Sequence, residues 1–400
     1  MRIGMILDRP FPPDDRVKKE AQSLIKAGHK VHLLCFRHNK NEKIYEIIGG
    51  IKVHRVFMPH RLYKKLSALI LLLPFYGQFW YKHIKQFVLR EKIEILHIHD
   101  LPLVGVGLKI KKEYGLPVVA DMHENYPVFI SEIKYANTFL GKTLINKDKW
   151  FKKEKEWLSQ VDHIVVVVDG MKKRLESILS SEKEIIVTPN SPVIGDIVEH
   201  QIEIRALSKR FNDKFVVFYF GGLDSRRGLD TLISAASSLK EKINNLAIVI
   251  IGSGSYLAEL KRKIDNNNLS EIFIFEGWHP TSHLQAYMQI TDVSIIPHLK
   301  SIQTDNSSPN KLFLYMIFAK PIISTNCNSI QQIIENEKCG LIYDSGDHKA
   351  LLQKILYIYK NPDEAKKMGL NGAKAVAKKY DWEVTVQDLV NMYSKINNDN

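Results

Sequence analysis

The chain lacks the signatures that most readily give a function away. It has only three cysteines in 400 residues, Cys35, Cys327 and Cys339, far apart and with no CxxC pair. That excludes a disulfide framework and a thiolate metal site, and fits a reducing, cytoplasmic setting. The longest apolar stretch, Leu66 to Tyr76, contains Pro74 and falls well short of the roughly 20 residues needed to span a bilayer. No signal peptide is visible, because Arg2 to Leu7 already reads as a buried strand. No GxGxxG motif occurs; Gly252-Ser253-Gly254 comes nearest, with Leu257 where the third glycine would stand. A dinucleotide-dependent oxidoreductase is thereby disfavoured.

One sign of charge is missing over a long interval. Between Glu46 and Glu91 there is no acidic residue, while Lys52, Arg55, Arg61, Lys64, Lys65, Lys82, Lys85 and Arg90 flank apolar and aromatic positions such as Phe75, Phe79, Trp80 and Tyr81. Through Asn190 the chain holds 33 Lys and Arg against 21 Asp and Glu, so +12 of the net +13 belongs to the first half. Such a pattern fits a helix lying on an anionic membrane surface, and it also fits a basic solvated face over an ordinary core helix. Nucleic acid is the weaker reading, since no nucleic-acid motif accompanies the charge.

What is present is a regular rhythm. A length of 400 residues with 45% hydrophobic composition supports two cores. Short apolar runs alternate with amphipathic segments: Ile3 to Leu7, then a helix from about Asp15 to Ala27 stopped by Gly28, then Val31 to Cys35, Ile51 to Val56, Ile93 to His97, Pro117 to Ala120, Val161 to Val168 and Ile185 to Val187. This is the pattern of a parallel sheet wrapped by helices. It breaks into a polar stretch over Asn190 to Asn212 and restarts with Phe215 to Phe220, Leu246 to Ile251, Ile272 to Phe275, Val293 to Ile296, Ile322 to Ser324 and Leu341 to Tyr343. The expected fold class is α/β with two Rossmann-like domains, 1–195 and 205–380, and a terminal helix within 384–400.

In open α/β sheets, ligands bind beyond the carboxyl ends of the strands, so the residues there are the candidate site. In the second half, Phe220-Gly221-Gly222-Leu223-Asp224-Ser225-Arg226-Arg227-Gly228 follows one strand and Gly252-Ser253-Gly254 another; Gly277-Trp278 closes a third. Glycines admit a close backbone approach, and an arginine fork matches a diphosphate. After the strand ending at Pro297 comes a polar loop with Asp305, Asn306, Ser307 and Ser308. Ser307 or Ser308 can cap a helix with Pro309 in its first turn and Asn310 and Lys311 following. Free N–H groups and a positive dipole end there suit a phosphate.

In the first half, the proline-stiffened loop Asp8 to Arg16, which includes Asp14, occupies the corresponding place. His97-Ile98-His99-Asp100 and Asp121-Met122-His123-Glu124 close two strands. Alternation turns His97 and His99 to one face, where they could bind a metal, pack as polar strand ends, or line a cleft.

These stretches together resemble the retaining family 4 glycosyltransferases of GT-B fold. FPPDDRVKKEAQSLIKAGHKV, HIHDLP, DMHENYP, TPNSP, YFGGLDSRRGLDTLISA, IIGSGSYLAEL, FEGW, PNKLFLYM, CGLIYDSGD and KKYDWE recur in family order over nearly the whole chain. The resemblance implies two Rossmann-like domains facing each other across a cleft, with the terminal helix crossing back onto the first. It implies sugar transfer from a nucleotide-diphosphate sugar to a lipid-linked or surface-polysaccharide acceptor, without a metal. His123, Arg227 and Lys311 would be catalytic. Gly221, Gly222, Gly252, Gly254, Gly277, Trp278, Asp305, Asn306, Ser307, Ser308 and Asn310 would bind the donor. Asp14, Arg16, His99 and Glu124 would border the acceptor. A peripheral place on the inner face of the cytoplasmic membrane goes with the basic first half.

Two departures qualify the match. Gly222 stands where the family commonly has arginine, and a common pair of glutamates falls on Asn306 and Leu314. Leu314 cannot hydrogen-bond a ribose. These differences keep open a non-catalytic glycosyltransferase-like partner, with a sugar-nucleotide epimerase as a third reading.

Overall fold

The computed structural model describes residues 1–60, 63, 70–71, 74–132, 146–180, 183–196, 201–280, 283–307 and 310–399. Ser308 and most of 61–73, including the cations Arg61, Lys64 and Lys65, lie outside the described residues. The chain forms two compact units, Met1–Pro189 with Val386–Asn400, and Asn190–Thr385.

The first unit is built on an eight-stranded sheet of order β3-β4-β2-β1-β5-β6-β7-β8. Its strands are β1 Arg2–Pro10, β2 Lys30–Arg37, β3 Tyr45–Ile48, β4 Ile51–Phe57, β5 Ile95–His99, β6 Val118–Met122, β7 His163–Val166 and β8 Ile185–Val187. All neighbours pair in parallel except β3, which pairs antiparallel to β4. β3 was not expected from the sequence. Its apolar residues face outward, with Tyr45 48% and Ile47 62% exposed, so it carries no inward alternation to read.

The second unit has a six-stranded parallel sheet of order β11-β10-β9-β12-β13-β14: β9 Phe215–Phe220, β10 Leu246–Ile251, β11 Phe273–Gly277, β12 Val293–Ile296, β13 Ile322–Thr325 and β14 Gly340–Tyr343. Successive side chains alternate between faces, which splits the core in two. Val217, Tyr219, Ile248 and Ile250 join one buried cluster, and Val216, Phe218, Ala247 and Val249 the other. Both faces of this sheet are therefore covered, which accounts for the unbroken apolar run of β10.

Strand order reverses between β1 and β5 in one unit and between β9 and β12 in the other. At such a switch point the following connections leave in opposite directions and open a crevice at the strand carboxyl ends. The residues at those two ends are Arg9 and His99, and Phe220 and Pro297.

The helix Pro74–Glu91 carries Phe75, Phe79, Trp80 and Tyr81, the aromatic positions of the basic interval. It buries Tyr76, Trp80, Ile84, Phe87 and Val88 in the first core, and Phe79 and Tyr81 pack against that core. Phe75, 67% exposed, is left as the outward aromatic of the group, so this is a core helix with a basic outer face. The terminal helix Gln387–Asp399 belongs to the first unit and packs against β8. Among the described residues no helix is long and apolar enough to cross a membrane.

Candidate functional site

The turns at the end of the second sheet are laced together by backbone hydrogen bonds. Gly221 N–H donates to Ile251 O at 2.9 Å, Leu223 N–H to Ser253 O at 3.0 Å and Gly252 N–H to Gly277 O at 2.7 Å. Glycine is obligatory at Gly252: its φ is +150°, and a Cβ there would lie 1.9 Å from the carbonyl oxygen of Gly221. At Gly254 a Cβ would come within 2.0 Å of Leu223 O. Gly221 has a different neighbour, since its Cβ would meet the Lys311 Nζ at 2.6 Å.

Lys311 is the unusual residue of this edge. It lies on the helix Asn310–Ile317 and is 6% exposed. Its ammonium sits 4.1 Å from the centre of the Tyr219 ring and has no hydrogen-bond partner among the described residues. Burial, and then the charge of Arg227, push its pKa well below the ordinary lysine value. A cation placed over an aromatic face keeps part of its stabilisation, but a buried ammonium without an acceptor is costly.

Arg227 ends a turn, Ser225–Arg227, that Asp224 caps by accepting from Arg226 N at 3.0 Å. Its Nε donates to Asp224 Oδ2 at 3.2 Å and its Nη1 to His298 Nε2 at 3.3 Å. Burial and then the nearby Lys311 and Arg227 charges hold His298 well below its ordinary pKa, so its ring is neutral and can accept. Sequence reading did not single out His298. Gly228, with φ +67° and a Cβ position 1.8 Å from Pro297 O, lets this turn press against the end of β12.

The loop after β12 differs from the expected bare cap. Ser301 and Thr304 form a reciprocal capping box on a one-turn helix, Ile302–Asp305. Asp305 Oδ1 accepts from Asn328 N at 2.8 Å and Asn306 Nδ2 donates to Ile302 O at 2.8 Å. The Ser307 hydroxyl donates to Thr304 O at 3.2 Å. Asn306 and Ser307 are thus tied to their own loop and Asp305 to the start of the helix Asn328–Glu337, while Ser308, the other expected cap, lies outside the described residues. Asn310, exposed, opens that helix. Leu314 is 8% exposed and belongs to the core. Around Gly222 the space a side chain would enter is open. Gly277 has φ +76°, and Trp278 beside it is 69% exposed.

The end of the first sheet holds a buried charge network instead. Arg16, 4% exposed, sits between Glu20 at 2.7 Å and Asp121 at 3.0 Å, and donates to Thr188 O at 2.8 Å. Asp121 Oδ2 accepts from His123 Nε2 at 2.7 Å and His99 Nδ1 at 3.0 Å. Burial opposes ionisation of Asp121, but Arg16 and His123 more than offset it and hold the carboxyl well below its ordinary range. Burial likewise opposes the His123 imidazolium, and Asp121 with Asp100 outweighs it, raising His123 to about 9. Burial pushes Glu20 up to about 8 against the pull of Arg16, and pushes His99 down to about 4.

Arg16 and His99, expected along an acceptor wall, are thus sealed and spent on their neighbours. Asp14 caps the helix Asp15–Lys26 by accepting from Val17 N at 3.1 Å, and Arg9 pairs with both Asp14 and Asp100. His123 and Glu124 remain partly accessible. His97 does not fit a metal pair with His99: its Nδ1 meets the Tyr393 hydroxyl at 2.8 Å, and the positive charge of the cluster comes from Arg16 and His123.

The matched sequence families agree with this architecture unit by unit. Residues 200–375 match the family described as Glycosyl transferases group 1, and residues 16–191 match Glycosyltransferase Family 4. This chain belongs to the family 4 glycosyltransferases of GT-B fold. A relative of this family 4 glycosyltransferase is the GDP-mannose-dependent alpha-(1-6)-phosphatidylinositol monomannoside mannosyltransferase of Mycobacterium tuberculosis, 25% identical over 182 residues. That similarity covers 45% of this chain and about half, 47%, of the relative's length. Among solved structures, a sucrose-phosphate synthase from Thermosynechococcus elongatus superposes with a TM-score of 0.82 at 17% identity, covering 100% of both chains. HepE of Anabaena, solved in complex with UDP, gives 0.74 at 13% identity over 99% of this glycosyltransferase and 100% of HepE.

Proposed function

We propose that this glycosyltransferase moves a sugar, with retention of configuration, from a nucleoside-diphosphate sugar held at the end of the second sheet. The observation that carries the reading is the buried, partnerless ammonium of Lys311 beside Gly221, with Arg227 in its field. The chemical difficulty is the charge that grows on the departing diphosphate. Preorganised cations in a dry site stabilise that charge without reorganising. Lys311 and Arg227 take this role, and Gly221 and Gly222 let the phosphates approach the backbone closely. Gly277 and Trp278 border the base. With Asp305 tied to Asn328, Asn306 to its own loop and Leu314 in the core, the ribose is held through backbone groups of Asp305 to Ser307.

The acceptor is a lipid-linked or surface-polysaccharide glycan bound by the first unit, where His123 and Glu124 are the accessible groups. His123, kept protonated by Asp121 and Asp100, donates a hydrogen bond to a sugar hydroxyl. The proton of the acceptor passes to the leaving phosphate oxygen, and no metal is needed for this step. The phosphatidylinositol monomannoside in the mycobacterial relative's name and the +12 of the first half support work at the inner face of the cytoplasmic membrane. Absence of flotation with anionic liposomes at low salt, where electrostatic attachment is strongest, would remove this part.

The test of function is donor turnover. Purified protein with UDP-, GDP- and ADP-sugars should hydrolyse one donor slowly and transfer from it when a lipid-linked acceptor is added. Arg227→Ala should abolish both. Gly222 and Leu314 favour a second reading, a non-catalytic partner that binds a nucleotide or a catalytic subunit; nucleotide binding without any hydrolysis or transfer would select it. Conversion of the donor without acceptor would select an epimerase.

A further inference from the structure

We propose that Glu203, His279 and His283 form a binding site for a divalent first-row transition ion, and that the ion clamps the loop after β11 to the helix Gln201–Arg210. The three residues bring ligand atoms within 4.8 Å of one another. His283 Nδ1 already lies 2.9 Å from Glu203 Oε2. Nitrogen and oxygen ligands about 2.0–2.2 Å from a tetrahedral ion stand roughly 3.3 Å apart, so closure needs side-chain adjustments of about an ångström or so.

Three features favour an ion over a plain hydrogen bond. The two histidines are spaced as His-x3-His, within the range that zinc sites use. The Tyr287 hydroxyl lies 3.5 Å from His279 Nε2 and donates to Glu276 Oε2 at 3.1 Å, which supplies the outer hydrogen bonds that orient ligating imidazoles. The side chains of His283 and Glu203 are 36% and 25% exposed, so an ion can enter and keep solvent at a fourth position.

Two other clusters of the described residues are as close, Glu20-His99-Asp121-His123 and His32-His54-Glu91, but each already holds a guanidinium. Arg16 lies on Glu20 and Asp121, and Arg90 donates to His54 at 3.0 Å and to Glu91 at 2.7 Å. In the Glu203 cluster the neighbouring Arg210 is engaged by Glu276 instead, at 2.7 Å. Two imidazoles and one carboxylate select Zn2+, Co2+, Ni2+ or Cu2+ over Mg2+ and Ca2+.

The clamped loop begins directly after Gly277 and Trp278. On the reading that these two border the nucleotide base, the bound ion stiffens that border and raises nucleotide affinity a few-fold. Calorimetric titration of the full chain with ZnCl2, and the visible absorption of added Co2+, test the site without reference to the nucleotide. The expected result is one ion per chain with micromolar affinity, weakened at least about tenfold in each of His279→Ala, His283→Ala and Glu203→Gln. Circular dichroism in chelator should be unchanged, because these side chains lie at the surface. Variants that bind Zn2+ like the wild type, or a wild type that binds none at micromolar levels, would overturn the site. Equal nucleotide affinity in Zn2+ and in chelator, with ion binding intact, would overturn the clamp's effect on the base border.

Discussion

The two strand-end sites are built from similar residues and balanced in opposite ways. At the end of the first sheet the buried cations have counter-charges inside the protein: Arg16 is shared by Glu20 and Asp121, and His123 by Asp121 and Asp100, although Arg16 Nε and Asp100 Oδ1 lack hydrogen-bond partners among the described residues. At the end of the second sheet Lys311 is buried without a hydrogen bond and Arg227 divides its fork between Asp224 and neutral His298. A charge-paired network fixes geometry, whereas a cation without a counter-charge stores affinity for an anion that arrives later. The first site is therefore a rigid support for one partly accessible imidazolium, and the second a socket.

The difference can be broken most forcibly at Asp121. Asp121→Asn leaves Arg16 and His123 buried without their shared counter-charge, and losing one partner of a buried pair costs about 3–5 kcal/mol. Urea denaturation should show a loss of that size in the cooperative unit containing residues 1–189. A loss below about 1 kcal/mol would mean that the network is not what holds this edge together.

The next effect is pH-dependent. The folded-state pKa of His123, about 9, lies above its ordinary value of 6.5. Its stabilisation is complete below about 6.5 and disappears as pH rises through about 9, amounting to at most about 3 kcal/mol. Stability curves of the wild type and His123→Gln between pH 6 and 10 should converge over that window. Parallel curves would show that His123 is not held protonated.

At Lys311 the sign reverses. Lys311→Met removes a partnerless cation from an apolar pocket, so the free protein should keep or gain thermal stability, while nucleoside-diphosphate affinity falls about 10–100-fold, the worth of one charge-assisted hydrogen bond. A destabilised variant with unchanged affinity would place Lys311 among structural residues. The smallest effect is expected at Gly222. Gly222→Arg puts a guanidinium into open space beside the phosphates and should tighten nucleotide binding by about 0.5–1 kcal/mol, a few-fold. Weaker binding would mean that this space is used by the ligand.

Much of this contrast could be read from residue order, and the remainder was hidden for physical reasons. The parallel sheets and the glycine turns were legible, because buried parallel strands are continuous apolar runs and Gly221, Gly252 and Gly277 interrupt them at their ends. Lys311 stood out only by its place at a helix start; its burial depends on Tyr219 and Gly221, which lie far from it in sequence. Glu20 gave no signal beyond its i,i+4 spacing from Arg16 on a face otherwise apolar. The contact of Tyr393 with His97 joins residues at opposite ends of the chain and leaves no local trace. The Ile302–Asp305 turn was missed because its capping box uses Thr304 in place of the usual Glu or Gln.

The central claim is that the second socket waits for a diphosphate. Titration calorimetry of UDP, GDP and ADP in two buffers of different ionisation enthalpy tests it directly. One nucleotide should bind with micromolar affinity and with a buffer-dependent heat, because the phosphates raise the depressed Lys311 pKa and so draw a proton onto the neutral fraction of that amine. That dependence should vanish in Lys311→Met. Failure of all three nucleotides to bind, or a Lys311→Met isotherm indistinguishable from the wild type in both buffers, would contradict the claim.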